Sequence, residues 1–205
     1  YYRAQTTWCR DRFARGEFGE FVYGEGQYYH DMAHFYGAYS RTGGEGWKAN
    51  ASFPPMLYPT HSVAFVLGVT FRRATEVSCL GWTDHHADGI FDAKRSRWGN
   101  AFSNETALLR TSDGGMARIN EFRRVGAGLP DHDRMSILGT LSSYEEHPLG
   151  AVVSRLEFPA DYGKGGIPFD KANELVPLRT EEVSHIHRFD GVEITEANLG
   201  KLPRA

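Results

Sequence analysis

The spacing of apolar and polar positions divides much of the chain into helices and strands. Trp8, Cys9, Arg12 and Phe13 recur at intervals of three and four, which predicts a helix over residues 6–15, ended by Gly16. From residue 20 to 29 the period changes to two. One face of this predicted strand carries Phe21, Tyr23, Glu25, Gln27 and Tyr29. The other carries Val22, Gly24, Gly26, Tyr28 and then His30. Gly24 and Gly26 leave room for something bulky on that second face, either a bound molecule or a helix packed close to the strand. Residues 31–39 are aromatic and read as a short helix or irregular chain, and residues 41–50 as a polar, glycine-containing loop. Further strands are expected at 74–81, 105–111 and 116–124, the last two joined by a turn at Ser112-Asp113-Gly114-Gly115. A second hairpin is expected from 134–138 and 141–144, turning at Gly139-Thr140. A strand at 152–158, a loop at 161–168 and a short helix at 170–175 complete the pattern.

The stretch Pro54-Pro55-Met56-Leu57-Tyr58-Pro59-Thr60-His61 interrupts this alternation. Each proline ring fixes φ and removes a donor, and the residue before it is pushed toward extended geometry. Thr60 is a good N-cap residue, Val63, Val66 and Leu67 follow at helical spacing, and Gly68 is the expected stop. A stiff loop would then deliver Tyr58 and His61 to the first turn of a helix. The positive field there favours a neutral imidazole, which can accept or donate a proton near physiological pH. The alternative is that His61 only packs the helix start. The return strand 116–124 adds a second unusual feature: Ala117, Ile119, Glu121 and Arg123 share one face, and Met116, Arg118, Asn120 and Phe122 the other. Both faces are mixed, as in an active-site wall or a subunit interface.

Composition narrows the classes. The 205 residues are 40% hydrophobic and 13% aromatic, enough for one sizeable core. A net charge of -3 and a pI near 6.3 give no reason to expect nucleic acid or an anionic membrane as partner. No apolar run approaches the length of a membrane helix. The sequence opens on Tyr1-Tyr2-Arg3 without an initiator methionine, so part of a longer polypeptide is expected, and the two cysteines fit a reducing, cytoplasmic setting. Twenty-three glycines and ten tyrosines suit a sheet with tight turns. Cys9 and Cys79 lie too far apart in sequence for a metal-type pair. His30 and His34 stand at i and i+4, and Asp84, His85, His86 and Asp88 form a hard-ligand run, yet neither completes a recognised metal motif, and no metal is expected. His185 and His187 could share a strand face. No nucleophile elbow, Walker A motif or dinucleotide fingerprint is present.

The segment Gly16-Glu17-Phe18-Gly19-Glu20-Phe21-Val22 resembles the motif that leads into the sheet domain of Gfo/Idh/MocA-type oxidoreductases. Pro59-Thr60-His61 through Leu67-Gly68 is similar to their helix bearing an active-site histidine, and the hairpin from Asn104 to Arg123 to their later strands. The resemblance covers roughly residues 1–145. It implies an α+β domain, 1–145, with an open, mostly antiparallel sheet and helices on one face, which binds substrate and mediates homo-oligomers; residues 146–205 extend it. It further implies that NAD or NADP is bound by an N-terminal Rossmann domain not contained in this chain, that the substrate is a sugar or sugar derivative, and that His61 relays its proton. Many members carry aspartate four residues before that histidine; here the position is Leu57. Tyr28-Tyr29-His30-Asp31 and Leu57-Tyr58-Pro59-Thr60-His61 also resemble motifs of NAD-dependent glycosidases of the α-N-acetylgalactosaminidase type, which oxidise a sugar transiently, eliminate the aglycone and reduce again. By that resemblance Tyr58 joins His61 as a catalytic residue, and Tyr28 and His30 bind the sugar. A non-catalytic assembly domain with these side chains merely packed is the third expectation.

Overall fold

The computed structural model describes residues 3–126, 133–147, 150–155, 173–176, 188–189 and 192–193. The chain runs through α1 (Ala4–Ala14), β1 (Phe21–Tyr29), a 3-10 turn at Ala33–Phe35, α2 (Tyr36–Gly43), a second 3-10 turn at Gly44–Gly46 and α3 (Trp47–Ala51). A third 3-10 turn, Pro55–Leu57, leads into α4 (Thr60–Thr70). The strands β2 (Ala74–Thr83), β3 (Phe102–Thr111), β4 (Met116–Phe122), β5 (Asp133–Gly139), β6 (Ser142–His147), β7 (Gly150–Arg155) and β8 (Asn173–Val176) follow.

These strands form one open sheet in the order β2-β3-β4-β1-β5-β6-β7-β8. Only β1 and β4 pair parallel among the described strands; every other neighbour is antiparallel. The fold is α+β with a mixed open sheet. Placing β1 beside β4 makes it a central strand, although the two are far apart in sequence. Arg188–Phe189 and Val192–Glu193 form a separate small ladder.

One face of the sheet is dry. Helix α4 lies across β1 and the neighbouring strands, with α1 beside it. Trp8, Phe21, Phe65, Val66, Ile119 and Ile137 belong to a single buried cluster. The buried line on α4 is Ser62, Phe65, Val66, Val69 and Thr70, a helical stripe, with Val63 and Leu67 on its flank. The space left by the β1 glycines is filled by this helix. A Cβ on Gly26 would stand 1.9 Å from the carbonyl oxygen of Ser62, and one on Gly24 2.9 Å from Val66 Cγ1. A bulge between Phe21 and Tyr23 turns Phe21 onto the same dry face, so strict alternation fails at the start of the strand.

Four further expectations need correction. The polar stretch 41–50 is not a loop: it completes α2 and begins α3. Tyr36, Tyr39 and Trp47 pack there against Ala51, Ile90 and Phe91, the last two supplied by the distant segment between β2 and β3. Gly68 does not stop α4. The helix continues to Thr70, with Val69 and Thr70 buried and Arg10 Nε donating to the Gly68 carbonyl at 2.8 Å, and ends at Phe71 in the left-handed conformation (φ 56°). The N-cap is Pro59, not Thr60, which is the first helical residue. At the far end, Asn173–Val176 is a strand paired with β7 where a short helix was expected; pairing to a free sheet edge overrides local helical spacing. The expected loop at 161–168 and the pair His185 and His187 lie outside the described residues. Among the described residues no helix is long and apolar enough to cross a membrane.

Candidate functional site

The C-terminal end of β1 and the first turn of α4 meet because Gly26 lets the helix backbone touch the strand. Two residues beyond Gly26, the Tyr28 ring stacks face to face on His61, with centroids 4.6 Å apart and planes 13° from parallel. The Tyr28 hydroxyl shares a short hydrogen bond with His30 Nδ1. Tyr58 meets His61 edge-on at 5.7 Å, and the His30 ring lies 4.8 Å from that of His34. The four residues singled out from the sequence, Tyr28, His30, Tyr58 and His61, therefore form one continuous chain of rings. Tyr28 is buried, His61 and His30 are half-buried, and Tyr58 is exposed at the rim.

Behind these rings lies a buried charged cluster. Glu121 stands opposite Tyr28 in the β1–β4 register and opposite Glu105 in the β3–β4 register. Its carboxylate accepts a short hydrogen bond from Ser62 Oγ and pairs with Arg123 at 3.0 Å. Arg123 Nη2 donates to the carbonyls of Tyr58 (3.2 Å) and Pro55 (3.5 Å). Its guanidinium carbon lies 5.1 Å from the centre of the Tyr28 ring and 5.8 Å from that of Tyr58. Glu105 Oε2 accepts the Met56 N–H at 2.7 Å. Burial lifts the Glu121 carboxyl to about 7, although Arg123 and Ser62 pull it down. Burial likewise raises Glu105, against the Met56 N–H and Arg123. Burial also pushes the Tyr28 phenol well above its ordinary value, with Arg123 as the opposing influence. Tyr28 thus keeps its proton near neutrality.

From the sequence Glu121 and Arg123 stand only on a mixed strand face, expected as an active-site wall or subunit interface, with no individual role. The available signal was the change along that face from Ala117 and Ile119 to two charged residues. The run at 84–88 has another use. Arg124 Nε pairs with Asp84 at 3.3 Å, and Arg124 Nη2 with Asp88 at 2.8 Å, while its guanidinium also binds the Tyr36 hydroxyl. These contacts tie the loop to the helical layer. Among the described residues no group of three or more His, Cys, Asp or Glu side chains could hold a metal ion.

No family model matches the chain. No curated protein sequence matches it. Solved structures do. An inositol dehydrogenase homolog from Azotobacter vinelandii, complexed with NADH and myo-inositol, is 19% identical with a TM-score of 0.51, over 76% of this chain and 38% of its own. An oxidoreductase from Agrobacterium radiobacter, in complex with NAD+, L-tartaric acid and magnesium, is 12% identical with a TM-score of 0.55, over 86% and 43%. A levoglucosan dehydrogenase in complex with NADH and L-sorbose is 15% identical with a TM-score of 0.53, over 78% and 43%. The chain has the fold of part of these oxidoreductases. It spans less than half the length of each. The described residues do not themselves fit a dinucleotide: β1 passes into His30, Asp31 and a 3-10 turn crowded with rings, where a pyrophosphate cradle needs a glycine turn opening a helix.

Proposed function

We propose that this chain is the substrate-facing, C-terminal part of an NAD(P)-dependent oxidoreductase of the Gfo/Idh/MocA kind that acts on a sugar or sugar derivative. The observation that carries the reading is the convergence of Tyr28, His30, Tyr58 and His61 at the β1–α4 contact, on a fold like that of sugar and polyol dehydrogenases. In this reading the hydride chemistry would be supplied by a nicotinamide dinucleotide held on a separate Rossmann domain. His61 holds and moves the proton of the substrate hydroxyl, since a half-buried imidazole can exist in either protonation state near neutrality. Tyr58, exposed beside it, donates to or accepts from the same group. Tyr28 keeps its proton and fixes the orientation of His30, and both line the sugar side. The exposed outer face of the sheet is the proposed contact between copies of the chain.

A second reading is favoured by the Tyr28–His30 pair. It forms another proton-transfer unit beside His61, and a glycosidase working by transient oxidation needs an additional acid and base. The hydrogen bond between the Tyr28 hydroxyl and His30 Nδ1 makes the two a single proton-transfer unit for that task.

The full-length protein, supplied with free sugars and with nitrophenyl glycosides in the presence and absence of NAD, distinguishes the readings. Net NADH formation from a free sugar supports the dehydrogenase. Aglycone release that requires only catalytic NAD supports the glycosidase. In either case His61→Ala is expected to lower turnover by roughly 10²–10⁴-fold with little change in Tm, as for loss of a general acid–base group. Wild-type turnover in that variant removes His61 from the chemistry.

A further inference from the structure

We propose that Glu121 on β4 and Arg123 just beyond its end are positioning residues which clamp the backbone on both sides of His61 and thereby set its stack on Tyr28. The proposal rests on the reading of His61 as the working imidazole, but its structural part can be measured without any activity. His61 lies between two backbone points that are held from behind. On its N-terminal side Arg123 binds the carbonyls of Pro55 and Tyr58. On its C-terminal side Glu121 binds the hydroxyl of Ser62. Glu105 adds a third hold at the Met56 N–H. The junction contains two prolines and no regular ladder to a neighbouring strand, so these side chains do the work that sheet hydrogen bonds do elsewhere.

The chemistry of the pair argues for a role beyond filling the core. Positions 121 and 123 continue the buried face of Ala117 and Ile119, where apolar side chains would avoid the loss of hydration that two buried charges suffer. Arg123 and Glu121 are almost fully buried, and both direct polar atoms at residues 55–62. One terminal nitrogen of Arg123, Nη2, reaches both carbonyls and Glu121, while the flat guanidinium lies near the Tyr28 and Tyr58 rings. A lysine carries the same charge but no planar group to lie beside the two rings. Ser62 is the matching point on the helix, since its hydroxyl spans from Glu121 to the Pro59 carbonyl.

The test uses the full-length protein with Arg123→Lys and, separately, Ser62→Ala. The first readout is the NMR signal of the His61 ring C–H groups, which the face of Tyr28 shifts upfield; Tyr28→Leu supplies the value without the stack. Both variants are expected to lose most of that upfield shift while circular dichroism remains that of a folded protein. The second readout is kinetic, with kcat falling on the order of 10²-fold and KM held, as for a displaced rather than a deleted group. An unmoved His61 signal in Ser62→Ala and Arg123→Lys overturns the proposal. So does failure of both variants to fold, because the pair would then be building the sheet instead of placing the histidine. If Arg123→Lys alone fails to fold, Ser62→Ala decides by the same signal. A shifted His61 signal with unchanged kcat leaves the clamp standing and removes the proton-relay reading.

Discussion

Tyr28 shows how much a single residue's chemistry depends on what surrounds it. Its ring touches His61, its hydroxyl binds His30, and Arg123 lies against it, so burial holds the phenol neutral where an exposed tyrosine would titrate earlier. Glu121, its cross-strand neighbour, is the titrating group. Its carboxyl rises from an ordinary 4.5 to about 7, because burial outweighs the pull of Arg123 and Ser62, with Asp133 adding to the rise. A raised carboxyl binds its proton more tightly in the folded state. The stability it contributes is complete below the unfolded value and is lost as pH rises through about 7. Arg123, just past the end of β4, and Glu105 on β3 face the same space. Comparison of Tm against pH for wild type and Glu121→Gln isolates this one group. The wild type is expected to lose more stability than the variant as pH rises from about 4.5 to above 7, since Gln mimics the protonated acid at every pH. Parallel curves would show that Glu121 does not titrate in that window.

At the scale of elements, the contact of α4 with β1 governs the site. The helix approaches so closely that Gly26 has no room for a methyl group, with the Ser62 carbonyl 1.9 Å from the ideal Cβ position. The obstacle is backbone, which cannot swing away as a flexible side chain does. Gly26→Ala is therefore expected to destabilise the fold by about 1–3 kcal/mol, the usual cost of overpacking. Turnover should fall with it, because the helix turn that moves carries His61. Denaturant titration checks the first effect, and an unchanged midpoint would mean that α4 is not seated on the strand as described. The helix itself was legible in the chain from the spacing of Val63, Val66 and Leu67. Its end was not. A glycine inside a helix costs about 1 kcal/mol relative to alanine, which burial of Val69 and Thr70 exceeds.

At the scale of the molecule, the sheet has one covered face and one open face. On the open face Leu80, Trp82, Leu108 and Met116 are exposed, beside the Arg118–Glu25 ion pair and the stacked Tyr29 and Phe122. Leu80 is 79% and Leu108 58% accessible, a large apolar surface for a sheet in water. The expected outcome in sedimentation is an oligomer of the full-length protein, dissociated by the double substitution Leu80→Glu and Leu108→Glu while the secondary structure is retained. A wild-type monomer at high concentration would refute this use of the face. Edge strand β2 depends most on such a contact, since nearly all of its residues are exposed on both sides.

Local pattern determined β1 to β7, the Asp113-Gly114 hairpin, the helix after the prolines and the delivery of Tyr58 and His61 to its first turn, while family resemblance added Tyr28 and His30. Period-two alternation, turn chemistry and proline stiffness act between near neighbours and so are written in the chain. Tertiary structure decided what those elements meet. It paired β1 parallel to β4, filled the glycine space with α4, and turned the polar stretch at 41–50 into helix by bringing Ile90 and Phe91 against it. It also gathered Glu121, Arg123 and Glu105 behind the imidazole, from strands whose sequence showed only a mixed face. A buried charge becomes intelligible only through its partners, and beyond the Glu121–Arg123 pair itself those lie scores of residues away along the chain.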